Sequence, residues 1–323
     1  MTDLTEHDMA VIELLADGRF HSGEALGAAL GISRAGVWKR LQKLEGVGLW
    51  PESVRGKGYR IAGGLSLLRE TAIAAQSPAL PPIAVRNSTG STNQDALDQL
   101  QQGRAAPFVL LAEYQSAGRG RRGRVWNSPF GACLYLTAAE PFEHGAAALE
   151  GLSLAVGVAL ADALTGLGVP EVGLKWPNDV YLGGRKAAGI LIELAGDLLG
   201  DCVAVVGIGL NVRMPDAAMS NVAQPWTDLH AALGAEVDRN LLAARILAAL
   251  QGAFVRFRDG GFPAFAAAWA QYDVCAGRAV RVELGGRVLE GIAAGVDRSG
   301  ALCVEIEGTR QLFHGGEVSL RIA

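Results

Sequence analysis

One short run of arginine and glycine limits what this chain can fold into: residues 118–124 read Gly-Arg-Gly-Arg-Arg-Gly-Arg. Arginine stays charged near neutral pH, so the run cannot enter a hydrophobic core. Glycine lacks a Cβ atom, which lets the backbone bend freely and approach a ligand closely. The run therefore predicts an exposed loop that a bound anion orders, because the guanidinium fork fits carboxylate and phosphate oxygens.

Two better-known glycine motifs share this spacing, and the flanking residues argue against both. Gly118, Gly120 and Gly123 match the dinucleotide-binding pattern G-x-G-x-x-G, but that pattern must open a helix. Here a turn at residues 127–131 and an apolar, strand-like run at 133–136 follow instead. The glycine loop of protein kinases also matches, yet the sequence contains no V-A-I-K, H-R-D or D-F-G motif. An exposed basic loop without a ligand stays open as the plainer interpretation.

Length and composition indicate a soluble globular protein. The 323 residues are enough for about two or three domains, half of them are hydrophobic, and the formal net charge is −4. The most apolar long segment, residues 146–169, is interrupted by Glu150 and Asp162, which predicts a buried helix and no membrane span. The N-terminus lacks the pattern of a signal peptide, so we expect a cytoplasmic protein.

Cysteine and histidine are too scattered to suggest a metal site or a nucleophilic triad. The cysteines form no C-x-x-C pair and are typical of buried thiols in a reducing compartment; they are Cys133, Cys202, Cys275 and Cys303. The histidines, five in all, are equally far apart along the chain.

The first 64 residues have the pattern of a winged helix-turn-helix. Apolar residues recur at helical spacing in three segments, with Ser22 and Ser33 placed to cap the second and third helices. A glycine turn at residues 31–33 separates those two helices, and the third runs from Arg34 to about Leu44. Residues 54–61 then predict a β-hairpin with a basic tip, the wing.

Charge placement in this unit favours DNA binding. Acidic side chains are in excess over residues 1–32, whereas lysine and arginine are in excess over residues 33–60. The basic charge therefore falls on the recognition helix and wing, where phosphates would be met. The predicted DNA contacts are Ser33, Arg34, Lys39, Arg40, Lys43, Arg55 and Lys57. A small interaction domain with a solvated basic face is the alternative.

Polar and charged clusters in the central segment stand at the ends of predicted strands. We expect a helical bridge over residues 65–76, then strands at 83–85 and 109–115, the second of which leads into the arginine loop. Residues 172–176 and 180–193 predict further strands, with a hairpin turn at Gly183-Gly184. Lys186 follows this turn and faces either the edge of the sheet or a cavity.

Four motifs together closely resemble the biotin–protein ligase family. They are STN (91–93), EYQSAGRGRRGRVWNSPFGACLYL (113–136), KWPNDVYLGGRKAAGILIEL (175–194) and GIGLNV (207–212). With the winged helix, the chain is similar to the bifunctional form of this family, which is also the biotin operon repressor. The resemblance covers essentially the whole chain, and four motifs in order are far more specific than the arginine loop alone.

The resemblance implies an ATP-dependent ligase. Such enzymes join the biotin carboxylate to AMP, using ATP and Mg²⁺, and then pass biotin to one lysine of a carrier domain such as that of acetyl-CoA carboxylase. Two anions must be neutralised in the first step, which fixed arginines, a lysine and a metal would do. No protein nucleophile is needed, in agreement with the absence of a histidine or cysteine site in the sequence.

The matched motifs imply the roles of individual residues. The expected biotin site is Ser91, Thr92, Asn93, Gln115, Gly118, Arg119, Gly120, Arg121 and Lys186, of which Arg119, Arg121 and Lys186 are the expected catalytic residues. The expected ATP and adenylate contacts are Trp126, Lys175, Asn178, Asp179, Asn211 and Trp226, with Asp179 as a possible Mg²⁺ ligand. Asn127 departs from the family pattern, because some relatives carry an aromatic residue there, so the packing over the adenylate is expected to differ.

From Arg278 on, residues alternate between apolar and polar and are broken by frequent turns, the first at Gly285-Gly286, which predicts a small β-barrel. The family has an SH3-like domain here. The predicted fold class is therefore a multidomain α/β (α+β) protein. Its parts are a winged helix-turn-helix (1–64), a mixed α/β ligase domain (65–272) and an SH3-like barrel (273–323).

The resulting hypothesis couples two sites. Biotinyl-AMP in the central site would favour a homodimer, and the dimer would bind paired half-sites of operator DNA. Three alternatives stay open: a biotin-sensing transcription factor without ligase activity, a lipoate- or octanoate-type ligase, and a ligase whose winged helix no longer binds DNA.

Overall fold

The computed structural model describes residues 4–77, 79–143, 145–197, 199–284, 287–315 and 318–322. A helical unit with a small hairpin is followed by a seven-stranded mixed sheet with helices, and then by a five-stranded antiparallel sheet. This arrangement confirms the predicted fold class. The predicted turn at Gly285-Gly286 and the outermost residues of both ends lie outside the described residues.

The α-helices in these ranges are α1 (Glu6–Leu15), α2 (Gly23–Leu30), α3 (Arg34–Glu45), α4 (Glu70–Gln76), α5 (Thr92–Gln101), α6 (Leu152–Gly166), α7 (Asp216–Met219), α8 (Leu229–Leu233), α9 (Arg239–Gly260) and α10 (Ala266–Tyr272). The strands are β1 (Glu52–Val54), β2 (Gly58–Arg60), β3 (Ile83–Arg86), β4 (Phe108–Ala112), β5 (Cys133–Phe142), β6 (Val172–Lys175), β7 (Asp179–Leu182), β8 (Arg185–Gly196), β9 (Cys202–Asn211), β10 (Ala279–Leu284), β11 (Arg287–Val296), β12 (Leu302–Ile306), β13 (Thr309–Phe313) and β14 (Val318–Ile322).

Local signals in the sequence account for the N-terminal unit. Ser22 and Ser33 cap α2 and α3 as expected, each accepting a hydrogen bond from a backbone N–H three residues on. Gly31 ends α2 in the left-handed conformation, which glycine adopts without strain. Apolar residues of α1 and α3 form the buried core, and β1 and β2 pair antiparallel as the wing. The wing begins at Glu52, two residues before the predicted start.

The core of the N-terminal unit also includes residues from the central part of the chain. Phe130 is 1% exposed and belongs to the same apolar cluster as Val37 and Leu44. Its backbone N–H donates to the carbonyl of Val47 at 2.9 Å. The exit of the arginine loop is therefore anchored on the winged helix.

The central sheet has the strand order β3-β4-β5-β9-β8-β7-β6, in which only the β3–β4 pair is parallel among the described pairs. Helices α6 and α9 pack against each other and contribute to its main core. The segments Ala146–Gly166 and Arg239–Gly260 are long and apolar enough to cross a membrane by length and composition alone, with 56% and 50% of their windows buried inside the fold. Their packing is that of core helices, as the sequence predicted for the first of them.

The bridge between the first two units was predicted as a helix over residues 65–76, and its first half is wrong. Only α4 is helical, because hydrogen bonds to distant side chains hold the preceding residues outside a helix. The backbone N–H of Leu68 donates to the buried Glu113 carboxylate at 2.6 Å, and the Arg239 side chain donates to the Ser66 carbonyl at 2.9 Å. Arg239 also pairs with Glu113, so a buried ion pair ties the bridge to β4 and α9.

The C-terminal part is a five-stranded antiparallel sheet in the order β13-β12-β11-β10-β14. Val280, Val282 and Leu302 are buried on its inner face and join the main core, as the alternating pattern predicts. The indole Nε1 of Trp176 donates to the Gly300 carbonyl at 3.0 Å, which fixes this sheet to the turn between β6 and β7.

Candidate functional site

A cleft of about 1020 Å³ opens where the arginine loop, the start of α5 and the ends of several central strands meet. The sequence-predicted residues that line it are Ser91, Thr92, Asn93, Gln115, Arg119, Gly120, Arg121, Trp126, Lys175, Asn178, Asp179 and Lys186. These residues span almost a hundred positions of sequence. The fold brings together most of the predicted biotin and adenylate sites.

The floor of the cleft is made by glycines of adjacent strands. A Cβ atom on Gly209 of β9 would lie 2.7 Å from Nε1 of Trp126, and one on Gly189 of β8 would lie 3.1 Å from its ring. The indole therefore rests on the sheet only because both positions lack a side chain. Its N–H is buried and has no hydrogen-bond partner in the described part of the chain.

One wall is a network of buried polar side chains. Gln115 accepts hydrogen bonds from the backbone N–H and the hydroxyl of Thr92, at 2.9 and 3.1 Å. The hydroxyl of Thr137 donates at 2.7 Å to the amide oxygen of Asn93, which is 4% exposed. Because each group holds its neighbour, the wall presents a fixed polar surface to the cleft.

Glu193 supports this wall without lining the cleft, and sequence reasoning missed it as a site residue. Its Oε2 accepts from the amide nitrogen of Asn93 at 2.9 Å and from Nη2 of Arg119 at 3.0 Å. Arg119 belongs to the flexible loop, whereas Glu193 belongs to β8, so the ion pair connects the loop to the sheet. Glu193 lies within one of the four family motifs and stands two residues from the cleft-lining Leu191, on the same side of β8. This two-residue spacing within a family motif was the sequence signal that could have identified Glu193 as a site residue.

The opposite wall carries the lysine and the second loop arginine. Nζ of Lys186 lies 2.6 Å from Oδ1 of Asp179 and 5.5 Å from the centre of the Trp126 ring. The Arg121 guanidinium donates to the side-chain oxygen of Asn178 at 3.2 Å. Burial lowers the pKa of Arg121 below its usual value, and the carboxylate of Asp179 opposes that shift.

Lys175 is the third half-buried cation here, at the end of β6. Burial lowers the pKa of its ammonium, while Asp179 acts in the opposite direction. Among the residues that the structure describes, Asp179 is the acidic side chain that lines the cleft. Cations therefore outnumber acids, and the site is suited to anionic ligands such as a carboxylate and a polyphosphate.

The C-terminal sheet contributes residues that the sequence analysis did not connect with this site. Arg278, Leu320 and Arg321 line the cleft, and Arg121 donates to the carbonyl of Gly315. They lie more than 60 residues beyond the last family motif, and only the folded arrangement brings them here.

Three predicted residues do not line the cleft. Gly118 lies at the base of the loop, where its carbonyl accepts from the backbone N–H of Trp126 at 2.9 Å. Asn211 is buried and donates to the carbonyl of Thr227 at 3.0 Å. Trp226 lines a neighbouring hollow of about 620 Å³ and pairs through its backbone with Lys186. These positions favour supporting roles over direct contact with a ligand in this arrangement.

The fit to Mg²⁺ is limited on the protein side. The part of the chain that the structure describes contains no group of three or more His, Cys, Asp or Glu placed to hold a metal ion. Asp179 alone offers a carboxylate in the cleft, and Lys186 already neutralises it. A magnesium ion here would therefore need phosphate oxygens of a bound nucleotide as further ligands, which is its usual mode of binding.

The predicted DNA-binding residues divide into two groups. Arg34 and Lys39 on α3 and Arg55 and Lys57 at the wing tip are exposed, whereas Ser33 serves as the helix cap. The remaining two, Arg40 and Lys43, turn inward to the buried carboxylate of Asp8.

The ion pairs with Asp8 weaken the case for Arg40 and Lys43 as phosphate contacts. Nη1 of Arg40 lies 2.8 Å from Oδ1 of Asp8, and Nζ of Lys43 lies 2.6 Å from Oδ2. The sequence pattern could not reveal this, because Asp8 lies more than 30 residues away on α1.

Three family models match successive parts of the chain. Residues 9–60 match an HTH domain, residues 85–211 match the biotin/lipoate A/B protein ligase family, and residues 276–321 match the biotin protein ligase C terminal domain.

Relatives are similar over the full length. The bifunctional ligase/repressor BirA of Salmonella typhimurium is 42% identical, with 98% of each chain covered. The biotin–[acetyl-CoA-carboxylase] ligase of Mycobacterium tuberculosis is 38% identical over 71% of this chain and 85% of its own. Among solved structures, the biotin protein ligase of Aquifex aeolicus in complex with biotin and ATP has a TM-score of 0.63 at 26% identity, covering 75% of this chain and 99% of its own.

Proposed function

Because the chain belongs to the family of bifunctional biotin ligase/repressors, we propose that it biotinylates a carrier protein and represses transcription. The observation that carries the ligase function is the cleft in which Arg119, Arg121 and Lys186 converge on glycines of the central sheet. ATP and biotin are its substrates, as in the Aquifex aeolicus complex to which the chain is similar.

The reaction has two steps. A biotin carboxylate oxygen attacks the α-phosphorus of ATP, the bond to the β-phosphate oxygen breaks, and pyrophosphate leaves. The amine of a carrier lysine then attacks the biotinyl carbon of the mixed anhydride, AMP leaves with the bonding electrons, and the amine loses a proton. Neither step needs a protein nucleophile, so the chain has to align two anions and exclude water.

The cations are the catalytic residues in this proposal. Arg119 and Arg121 bind the carboxylate and the α-phosphate, and Lys186 donates to the oxygens that gain charge in the transition state. Fixed donors are effective because they need little reorganisation during the reaction. Support comes from the carboxylate and amide partners that hold all three in the cleft.

The biotin and nucleotide ends are assigned by position. Ser91, Thr92, Asn93 and Gln115 bind the polar head of biotin, while Gly118 and Gly120 shape the loop over it. Lys175 and Asn178 face the phosphates, and Trp126 walls the adenine. Trp226, in the neighbouring hollow, and the buried Asn211 belong to the adenylate site as supports of that wall. Bound Mg²⁺ would neutralise phosphate charge, with Asp179 as its protein ligand.

The wider assignments are also proposals. The acceptor is a biotin carboxyl carrier domain, as for the acetyl-CoA-carboxylase ligases among the relatives. The domains are 1–64, 65–272 and 273–323, and the protein works in the cytoplasm, where the buried free thiols would stay reduced.

We infer a homodimer in the adenylate-bound state from the edge of the central sheet. Strand β7 pairs with β8 only as far as Gly189, so residues 192–196 have no neighbour on that side among the described strands. An uncovered edge is a template for pairing with a second copy. The dimer would place two winged helices on paired operator half-sites.

The first experiment measures biotin transfer from ATP and biotin to a carrier domain, with octanoate as a competing acid. Labelled carrier establishes the ligase, and Lys186→Ala should lose most adenylation without unfolding. Biotin binding without transfer would instead favour a sensor that lacks ligase activity, and preferred use of octanoate would favour a lipoate-type ligase.

Repression needs a separate assay. DNA binding is measured with ATP and biotin present and absent, because the proposal requires tighter binding when the adenylate forms. Unchanged binding in sedimentation and anisotropy would contradict the coupling while leaving the ligase intact.

A further inference from the structure

The recognition helix exposes one tryptophan that none of the roles above uses. Trp38 is 50% exposed, which is high for a residue of this size, and it lies one turn into α3. Single exposed apolar side chains are common on proteins, so the exposure of Trp38 indicates a function only together with its position in the fold.

The position is the middle of the outer face of α3. Val37, Leu41 and Leu44 turn inward to the core, whereas the exposed residues of α3 include a row of Arg34, Trp38 and Gln42. Trp38 lies roughly a quarter turn from the core residues, near the middle of the exposed face. Ala35 is exposed beside this row and is too small to block close approach. The indole is therefore the largest group on the surface that a helix of this kind presents to a major groove.

The charges around Trp38 favour a polyanionic partner. Arg34 and Lys39 flank it on α3, and Arg55 and Lys57 are exposed on the adjacent wing. Arg40 and Lys43 are turned away to Asp8, so neither adds a cation beside Trp38. The cations around Trp38 are therefore expected to contact phosphates, and the row that contains Trp38 is expected to contact bases.

We propose that Trp38 is a specificity-determining residue that packs against the 5-methyl group of a thymine in the major groove. The major groove displays that methyl group at every A·T pair, and apolar side chains distinguish it there. A neutral aromatic side chain at the centre of a basic face can distinguish DNA base sequences, whereas the cations around it contribute affinity without sequence preference. This inference rests on the proposed DNA binding of the winged helix.

The test uses the full-length protein with ATP and biotin. Preferred duplexes are first selected from a random library, and each thymine of the selected site is then replaced in turn by uracil, which removes only the methyl group. For the wild type, binding measured by fluorescence anisotropy should weaken about fourfold at one position per half-site, as expected for one buried methyl group. Trp38→Ala should weaken binding to the selected site about 10-fold or more and should no longer respond to uracil at that position.

Two further variants separate recognition from folding. Trp38→Phe keeps an apolar aromatic and should restore most of the sensitivity to uracil. Trp50→Ala removes a tryptophan of similar exposure, 41%, that lies in the same unit but outside α3, and it should bind like the wild type. Hydrogen exchange in α3 checks that the unit stays folded.

The possible failures are distinguishable. If the wild type enriches no sequence, the proposed DNA recognition fails and the role of Trp38 falls with it. If the wild type binds a selected site but Trp38→Ala shows the same affinity and the same uracil profile, DNA binding stands and the role of Trp38 is refuted.

Discussion

Replacing Asp8 by asparagine should loosen the winged helix, because this one carboxylate holds two cations of the recognition helix. Asp8 is fully buried, and its oxygens lie within 2.8 Å of Arg40 and Lys43. Burial alone would raise its pKa, but the hydrogen bonds from Lys43, Thr5 and Arg40 outweigh that effect and lower the pKa from 3.8 to about 2.

The size of the effect follows from this shift. One pKa unit corresponds to about 1.4 kcal/mol, so a shift of nearly two units sets an upper limit of about 2.5 kcal/mol. Arg40 and Lys43 are 27% and 33% exposed, and water screens part of the attraction. We therefore expect a loss of about 1–2 kcal/mol for Asp8→Asn, and about 1 kcal/mol more for Asp8→Ala, which also removes the capping box with Thr5.

The pH dependence has a definite sign. A carboxylate whose pKa is lower in the folded state stabilises the fold fully above its unfolded pKa of 3.8, and this contribution is lost as the pH falls from 3.8 towards 2. The wild type should lose this stability over that range, whereas Asp8→Asn should have lost it at every pH.

Hydrogen exchange in α1 and α3 of the intact protein is the suitable assay, because it reports the opening of this unit alone. At pH 7 the Asp8→Asn variant should exchange about 5- to 30-fold faster in both helices. Glu24→Gln removes an exposed carboxylate from the first turn of α2 and is the matched control. Equal exchange rates in Asp8→Asn and Glu24→Gln would refute the reasoning. A second refuting result would come from DNA binding by Lys43→Gln: a salt dependence reduced by about one phosphate contact would show that Lys43 contacts DNA.

The remaining predictions concern the cleft. Glu193→Gln should raise the KM for biotin about 5- to 10-fold with little change in kcat, because Arg119 loses the charged partner that holds it in place. Steady-state kinetics of biotin transfer measure both constants. An unchanged KM would count against a positioning role for Glu193. Gly207→Ala should also raise this KM, because the new Cβ atom would lie 2.3 Å from the amide oxygen of Asn93, whereas Gly252→Ala, which meets no atom within 4 Å, should not. We place Arg278, which lines the cleft from the C-terminal sheet, at the nucleotide end with Lys175. Arg278→Ala should therefore raise the KM for ATP and leave biotin binding in calorimetry unaltered, and an equal effect on both ligands would contradict this placement.

A structural feature can be predicted from this sequence when the residues that determine it are close to it along the chain. Helix caps at Ser22 and Ser33 and the turn at Gly183-Gly184 depend on neighbouring residues, and all three were predicted. The non-helical bridge before α4 was not, since hydrogen bonds to Glu113 and Arg239 override the local helical pattern.

The same distinction holds for the site. The loop that holds Arg119 and Arg121 was identified because its composition favours a bound anion over a hydrophobic core, and the family motifs then implied the roles of the two arginines. The inward turn of Arg40 and Lys43 and the arrival of Arg278 in the cleft depend on contacts between distant segments, which a single sequence does not encode in any readable spacing.

The contacts of the cleft explain how a loop so rich in charge and glycine is fixed in place. Glu193 on β8 takes one amino group of Arg119, and Asn178 takes one of Arg121, both from the rigid central sheet or its turns. Since a guanidinium has five donors, Arg119 keeps further donors for a ligand. The ammonium of Lys186, with three donors, shares one with Asp179.

Arg119 and Lys186 are thus each positioned by a partner that takes only part of their hydrogen-bonding capacity. A ligand carboxylate or phosphate then meets donors that already point into the cleft, so less of the binding free energy is spent on ordering the loop. This partial pairing gives one reason why the acidic and amide residues around the arginines matter as much as the arginines themselves. It also predicts that neutralising Glu193 and Asp179 together should weaken biotin binding more than removing the charge of either one, although both changes make the cleft more positive.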